Sequence, residues 1–230
     1  MNKKLLIAIA IAVPVIPLFE LSLQLGRDIG SGSFPVILAF YYPARAAALI
    51  GFVLMFYQFV IGAKLPVVET HVAPRGKLLK NHRSLGKIGF ILMLFHGLFM
   101  LSFDLYDAGR IVFNTGKLLG IIALFMLILA VVASWWFKPL QFKYQTWKRI
   151  HLLAYAVFPT AFFHALMIGS TLQGSITTRY LFWLLLIVYI GIVGYKIMSL
   201  GSEPKKPTPS RKKPAAETDV SSPAADQARG

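Results

Sequence analysis

The feature that most constrains this chain is a series of six long apolar runs, at about Leu5–Leu18, Phe34–Gly62, Leu85–Phe103, Leu118–Phe137, Ile150–Ile168 and Tyr180–Leu200. Each approaches or exceeds the roughly 18–20 residues that cross ~30 Å of hydrocarbon as a helix. Composition agrees, with 57% hydrophobic and 14% charged residues, where soluble domains are about a quarter charged. The fold class read from this pattern is all-α: a polytopic membrane helix bundle with six transmembrane helices. Residues 1–33 form an N-terminal helix and an outer loop, and residues 34–200 the main membrane domain. Residues 201–230 are a basic tail rich in Pro, Ala and Ser, without apolar periodicity, and are expected to be disordered.

The first run begins like a secretory signal, with Lys3 and Lys4 ahead of Leu-Leu-Ile-Ala-Ile-Ala. No convincing small-residue cleavage site follows, and Pro14 and Pro17 interrupt the run, so it is read as an uncleaved first helix. Orientation follows from the basic residues. Of 24 Lys and Arg, four (Arg27, Arg110, Lys117 and Arg179) fall on one side and Arg45 falls within a span. The remaining nineteen occupy the N-terminal tip, the loops after the second and fourth runs, the tail, and the adjoining ends of the third and sixth runs (Lys87 and Lys196). This bias places both termini in the cytoplasm. It also explains a net charge of +15 through lipid headgroups rather than nucleic acid. The chain has no cysteine, which excludes disulfides, thiolate metal sites, iron–sulfur clusters and covalently attached haem.

Five histidines remain as the chemistry-bearing residues. His71 lies in a loop beside Pro74 and is given no role. His82 begins the third span with His96 fourteen residues on; His151 begins the fifth with His164 thirteen residues on. At ~1.5 Å per residue these separations are about 21 and 20 Å. The two spans run in the same direction, so His82 and His151 share one depth while His96 and His164 share another. A lone intramembrane histidine is more often a bonding partner of a neighbouring helix. Four in two depth-matched pairs instead suit bis-histidine ligation of one or two b-type haems. The angles fit unequally. A step of 14 returns to within about 40° of the starting face, whereas a step of 13 misses by about 140° on an ideal helix. Pro159 is expected to kink or rewind the fifth span and bring His151 and His164 onto one side.

Arg45 lies inside the second span, at the depth of His96 and His164, with no carboxylate in the core of any span. A haem propionate would supply its missing anion, the competing reading being snorkelling to the headgroups. Lys148, Arg149 and Arg83 flank the other pair. Trp147, Tyr144, Trp135 and Trp136 sit where an aromatic belt would place them, and a quinone or FMN pocket among them is the weaker reading.

The sequence His82-Arg-Ser-Leu-Gly-Lys-Ile-Gly-Phe with His96, then Leu119-Gly120, then Trp147-Lys-Arg-Ile-His151-Leu-Leu-Ala-Tyr155 with His164, resembles the ferric reductase-like transmembrane domain over roughly residues 35–200. Within that superfamily it most resembles the MsrQ-like (YedZ-like) haem-binding membrane subunits of bacterial methionine sulfoxide reductase systems. The resemblance implies an electron conduit. Electrons from quinol or a cytoplasmic flavin reductase would cross through haem b to a periplasmic, molybdenum-containing reductase. It implies His96, His151 and His164 as ligands. Some MsrQ-like sequences carry a basic residue at the place of His82, which here completes the four-histidine set of NADPH oxidases and eukaryotic ferric reductases. One or two haems therefore both stand as expectations. The rival readings are a stand-alone membrane reductase of ferric chelates, oxygen or quinone, and a histidine-relay transporter without haem. The lack of core carboxylates and of inverted repeats argues against the transporter.

Overall fold

A computed structural model describes residues 3–32, 37–137, 139 and 141–202. Among them the chain forms α1 (Lys3–Gly30), α2 (Leu38–Gly62), α3 (Pro66–His71), α4 (Arg75–Ala108), α5 (Thr115–Trp135), α6 (Tyr144–His151), α7 (Ala154–Ile168), α8 (Ser170–Gly174) and α9 (Ile176–Ser202). No strand occurs among these residues. Six helices are long and apolar enough to cross a bilayer, with α6 and α7 together making the fifth as Tyr144–Ile168. The chain is an all-α membrane protein. Large apolar side chains cover its outside, Ile11, Phe19, Phe125 and Ile187 among them, a surface that water does not tolerate and lipid does. Of the tail expected to be disordered, residues 201 and 202 complete α9, and the rest lies outside the described residues.

Several helices outrun their apolar segments. The first was expected to end near Leu18, but α1 continues to Gly30, burying Pro17 and Leu21. The third was expected to begin at His82, yet α4 starts at Arg75 behind Pro74 and stops at Gly109, whose φ of 65° makes the left-handed cap. Its 34 residues span about 51 Å, well beyond the hydrocarbon thickness of ~30 Å. His82 consequently sits two turns inside α4. The start of α5 is fixed by Asn114, whose side chain accepts the Lys117 N–H at 2.8 Å.

Two membrane prolines each leave a carbonyl four residues back without its helical donor, a defect that hydrocarbon does not forgive. Pro14 strands the Ala10 carbonyl, and the Tyr57 hydroxyl of α2 donates to it at 2.6 Å. Pro159 strands the Tyr155 carbonyl, and the Tyr189 hydroxyl of α9 donates to it at 2.6 Å. Each bond repairs one helix while fastening it to another.

The bundle is organised in pairs. α2 packs along α4, and α5 along α7. Small residues allow the close approach that drives helix association in lipid. Gly51 and Gly89 line the first contact, against Met93 and Leu54. Gly116, Ala123, Ala130 and Ala133 are buried along α5. An aromatic core joins α2, α7 and α9: Phe52 stacks on Phe158 at 4.6 Å and on Phe182 at 4.4 Å between ring centres, and Tyr189 meets Phe59 edge-on at 4.8 Å. Phe158 and Phe162 are fully buried. α4 and α7, by contrast, face one another with hardly any backbone contact, and the histidines lie in that gap.

Candidate functional site

The four histidines expected to pair do so. The His96 and His164 ring centres are 6.2 Å apart with planes at 68°, and those of His82 and His151 are 6.4 Å apart at 69°. Pairing at both levels requires α4 and α6–α7 to run in the same direction. The separation has a chemical meaning. Two metal–imidazole bonds of about 2.0–2.1 Å, plus about 1.1 Å from each nitrogen to the centre of a ring with bonds near 1.33 Å, give about 6.2–6.4 Å. Both pairs are therefore spaced for one metal ion between them. Among the described residues no group of three or more His, Asp or Glu converges as a metal site. Two imidazoles alone do not make a zinc centre, which takes four ligands. They suit a macrocycle that brings its own four nitrogens.

The 140° mismatch between His151 and His164 is resolved before Pro159. The chain tightens between α6 and α7, where Leu153 N–H bonds to Ile150 O, Tyr155 N–H to Leu152 O and Ala156 N–H to Leu153 O at 2.9–3.0 Å. Such three-residue turns rotate ~120° per residue instead of ~100°, and the five steps from His151 to Ala156 add up to about 100° of extra rotation. Overwinding at residues 150–156, and not the expected proline kink, accounts for most of the correction.

Each imidazole is held from behind by the helix paired with its own. His96 Nδ1 lies 3.1 Å from the Ala44 carbonyl of α2, and His164 Nδ1 lies 2.8 Å from the Gly116 carbonyl of α5. A carbonyl only accepts, so in both rings Nδ1 carries the proton and Nε2 keeps its lone pair for a metal. His151 Nδ1 is 3.1 Å from the Ser134 hydroxyl, which spends its own proton on the Ala130 carbonyl at 2.9 Å. The Trp147 ring stacks on His151 at 5.4 Å and 13°, and its indole N–H donates to Ser134 at 3.4 Å. His82 is braced by Gln58. Among the described residues His71 Nδ1 bonds to Val67 O in its own helix.

A cavity of about 340 Å³ opens between α4 and α7, lined by His96 and His164 but not by His82 or His151. It falls within the size range of small-molecule and cofactor sites. Its walls are mostly apolar, with Met55, Met93, Leu124 and Val157 among them, while Arg45, Lys117, Asp104 and Thr171 gather at one end. That division matches a flat apolar ligand with an anionic edge. Arg45 is held inside by neutral acceptors: its Nη2 donates to Gln24 and, at 2.6 Å, to Thr171. Its guanidinium lies over Tyr41 and Tyr42 at 5.1 and 5.2 Å. Asp28 joins this cluster through the Tyr42 hydroxyl, which donates to its carboxylate. Lys117 is paired with Asp104.

Glycines shape the cradle. A Cβ on Gly120 would stand 2.5 Å from His164 Nδ1, and one on Gly97 would stand 2.6 Å from Leu124. Gly86 lies against Gln58, and Gly89 against Leu54. Sequence reasoning missed the bracing set of Gln58, Ser134 and Trp147 and the Arg45 partners Gln24 and Thr171. A glutamine inside an apolar span is itself a signal, because an amide in lipid needs a partner.

Comparison with known families matches residues 47–162 to the ferric reductase like transmembrane component, which is 116 of 230 residues. The match includes His82, His96 and His151 and stops two residues short of His164. No curated protein and no solved structure matches the chain. From the matched segment and the six spans, the chain belongs to the ferric reductase-like transmembrane family, and so to the membrane components of electron transfer.

Proposed function

We propose that the protein is a transmembrane b-type cytochrome that passes electrons across a bacterial inner membrane to a periplasmic reductase of the methionine sulfoxide repair type. Both termini and the basic end, with Lys80, Arg83, Lys148 and Arg149, face the cytoplasm, where a flavin reductase or quinol supplies electrons. The observation that carries the reading is the pair of His–His separations, 6.2 and 6.4 Å between ring centres, each of the length that one bridging iron requires.

Haem bound at these pairs supplies one-electron iron chemistry. The chain's part is to ligate, orient and insulate. His96 and His164 hold the far-end group, and His82 and His151 the basic-end group. The carbonyls of Ala44 and Gly116 and the hydroxyl of Ser134 keep the lone pairs of His96, His164 and His151 directed at the metal. Arg45, now bonded to Gln24 and Thr171, would hold an anionic propionate of the far-end group in exchange for these neutral acceptors. The apolar walls exclude water and keep the site dry.

The test is a reduced-minus-oxidised absorbance spectrum and a haem count on purified protein. Sharp reducible bands with two haems per chain are expected. His96→Ala and His164→Ala each remove the same haem, and His82→Ala removes the other. A colourless protein, or His96 and His164 variants that lose different haems, overturns the proposal. Co-purification with a periplasmic reductase subunit tests the partner, and a chain that reduces ferric chelates without one refutes that part.

A further inference from the structure

At the far end, the brace of each imidazole adjoins a cation. The Ala44 carbonyl that holds His96 is followed in the chain by Arg45, and the Gly116 carbonyl that holds His164 is followed by Lys117. α2 and α5 therefore do the same two things at consecutive residues, one for each half of the bundle. A main-chain oxygen fixes a ring on the neighbouring helix, and the next side chain brings positive charge to the polar end of the same cavity. Among the described residues, Arg45 and Lys117 are the two Lys or Arg side chains that line it. They differ in what occupies them. Arg45 rests on the neutral oxygens of Gln24 and Thr171. Lys117 is instead paired with a carboxylate, that of Asp104, which also lines the cavity. The two side chains are 19% and 14% exposed, too enclosed for an ordinary surface bridge, and an ion pair so enclosed is weak evidence for stability. Asp104 has a second partner to keep, because it also accepts the Val112 N–H at 3.2 Å. The Lys117 backbone is fixed by the Asn114 cap, and beyond it lies a flexible four-carbon stem.

We propose that Lys117 is the second anion anchor of the far-end site, the α5 counterpart of Arg45, and that Asp104 holds its place until a ligand with two carboxylates on one edge arrives. This rests on the haem ligation proposed above. No covalent bond changes: the ammonium moves from one carboxylate to another, and Asp104 keeps the Val112 N–H. A two-carboxylate edge thereby meets one cation from each half of the bundle, as the metal meets one imidazole from each.

The experiment uses full-length, haem-loaded protein in detergent, with the far-end bands identified as those lost in His96→Ala. Transfer to excess apomyoglobin gives the rate of far-end haem loss, and redox titration gives its midpoint. Lys117→Met is expected to speed the loss about tenfold or more, the worth of one charge-assisted hydrogen bond. It is also expected to lower the midpoint, because removing a cation beside the iron disfavours the reduced form. Asp104→Asn is expected to act in the opposite direction on both readouts, since it releases Lys117 to the ligand. Lys117→Arg keeps haem as the wild type does. A bridge that merely ties α4 to α5 behaves differently, because removing either partner would loosen the site alike. If Lys117→Met leaves Asp104 stranded and the protein does not assemble, the double variant Lys117→Met with Asp104→Asn carries the test through the same faster loss. Faster loss in both single variants, or wild-type retention in Lys117→Met or in the double variant, overturns the assignment. If Arg45→Gln loosens the haem and Lys117→Met does not, the second anchor alone fails. A wild type without haem ends the functional reading and this assignment with it.

Discussion

Gly120→Ala is the sharpest probe of the site, because two effects of one methyl group act in opposite directions. Alanine is the better helix former by about 0.8–1.0 kcal/mol, so α5 itself is not weakened. The added Cβ, however, would stand 2.5 Å from His164 Nδ1 and 2.6 Å from Cε1, against 3.4 Å for ordinary contact. The ring must retreat by 3.4 − 2.5 = 0.9 Å, and it is tethered by the 2.8 Å bond from Nδ1 to Gly116 O. A shift of that size stretches the tether beyond hydrogen-bond length, costing about 1 kcal/mol. It also moves Nε2 by nearly half of a metal–nitrogen bond of about 2 Å. The expected result is a folded protein that has lost the far-end haem or converted it from low spin to high spin, with the basic-end haem unchanged. Haem content by pyridine haemochrome, the reduced absorbance spectrum and thermal unfolding in detergent measure all three. A Gly120→Ala protein with full haem content and a wild-type low-spin spectrum would refute the argument that this glycine makes room for His164.

Tyr189→Phe leaves the Tyr155 carbonyl without a donor and should destabilise the bundle by about 1–3 kcal/mol. Adding Pro159→Ala should restore most of that, because the helix regains its own N–H, and thermal unfolding of the four-member cycle reads the coupling. Arg45→Gln should lower the far-end midpoint potential, because a cation beside the propionates favours the reduced, less positive iron; a redox titration with an unchanged potential counts against the propionate role. Asn114→Ala removes the cap on the Lys117 N–H and should cost about 0.5–2 kcal/mol with the haem spectrum unaltered.

The apolar runs made the helix number legible, since in lipid a helix must satisfy its own backbone and few alternatives exist. Helix ends were less legible. α4 extends from Arg75 through polar sequence that hydropathy does not mark, and α1 continues past Leu18 because Leu21 and Gln24 find partners on the bundle. The pairing of His82 with His151 and of His96 with His164 followed from depth alone. Their angular register did not, because the overwinding at 150–156 depends on hydrogen bonds that choose between three- and four-residue turns, and no residue pattern there announces the choice. Arg45 was visible as a charge in a span, whereas Gln24 and Thr171 are ordinary polar residues until α1, α2 and α8 bring them together.

The gap between α4 and α7 sets the terms on which the polypeptide matures. Were it closed off and empty, a gap of about 340 Å³ would cost on the order of 8 kcal/mol at ~24 cal/mol per Å³, comparable with the entire stability of a domain at roughly 5–15 kcal/mol; being partly open, it is left to lipid or a ligand to fill. On the haem reading proposed above, the newly inserted chain would wait half-built, open to lipid tails and to proteases, until a prosthetic group arrived as a keystone between two arches. Abundance of the protein in the membrane should follow the cell's supply of porphyrin more closely than its own rate of synthesis.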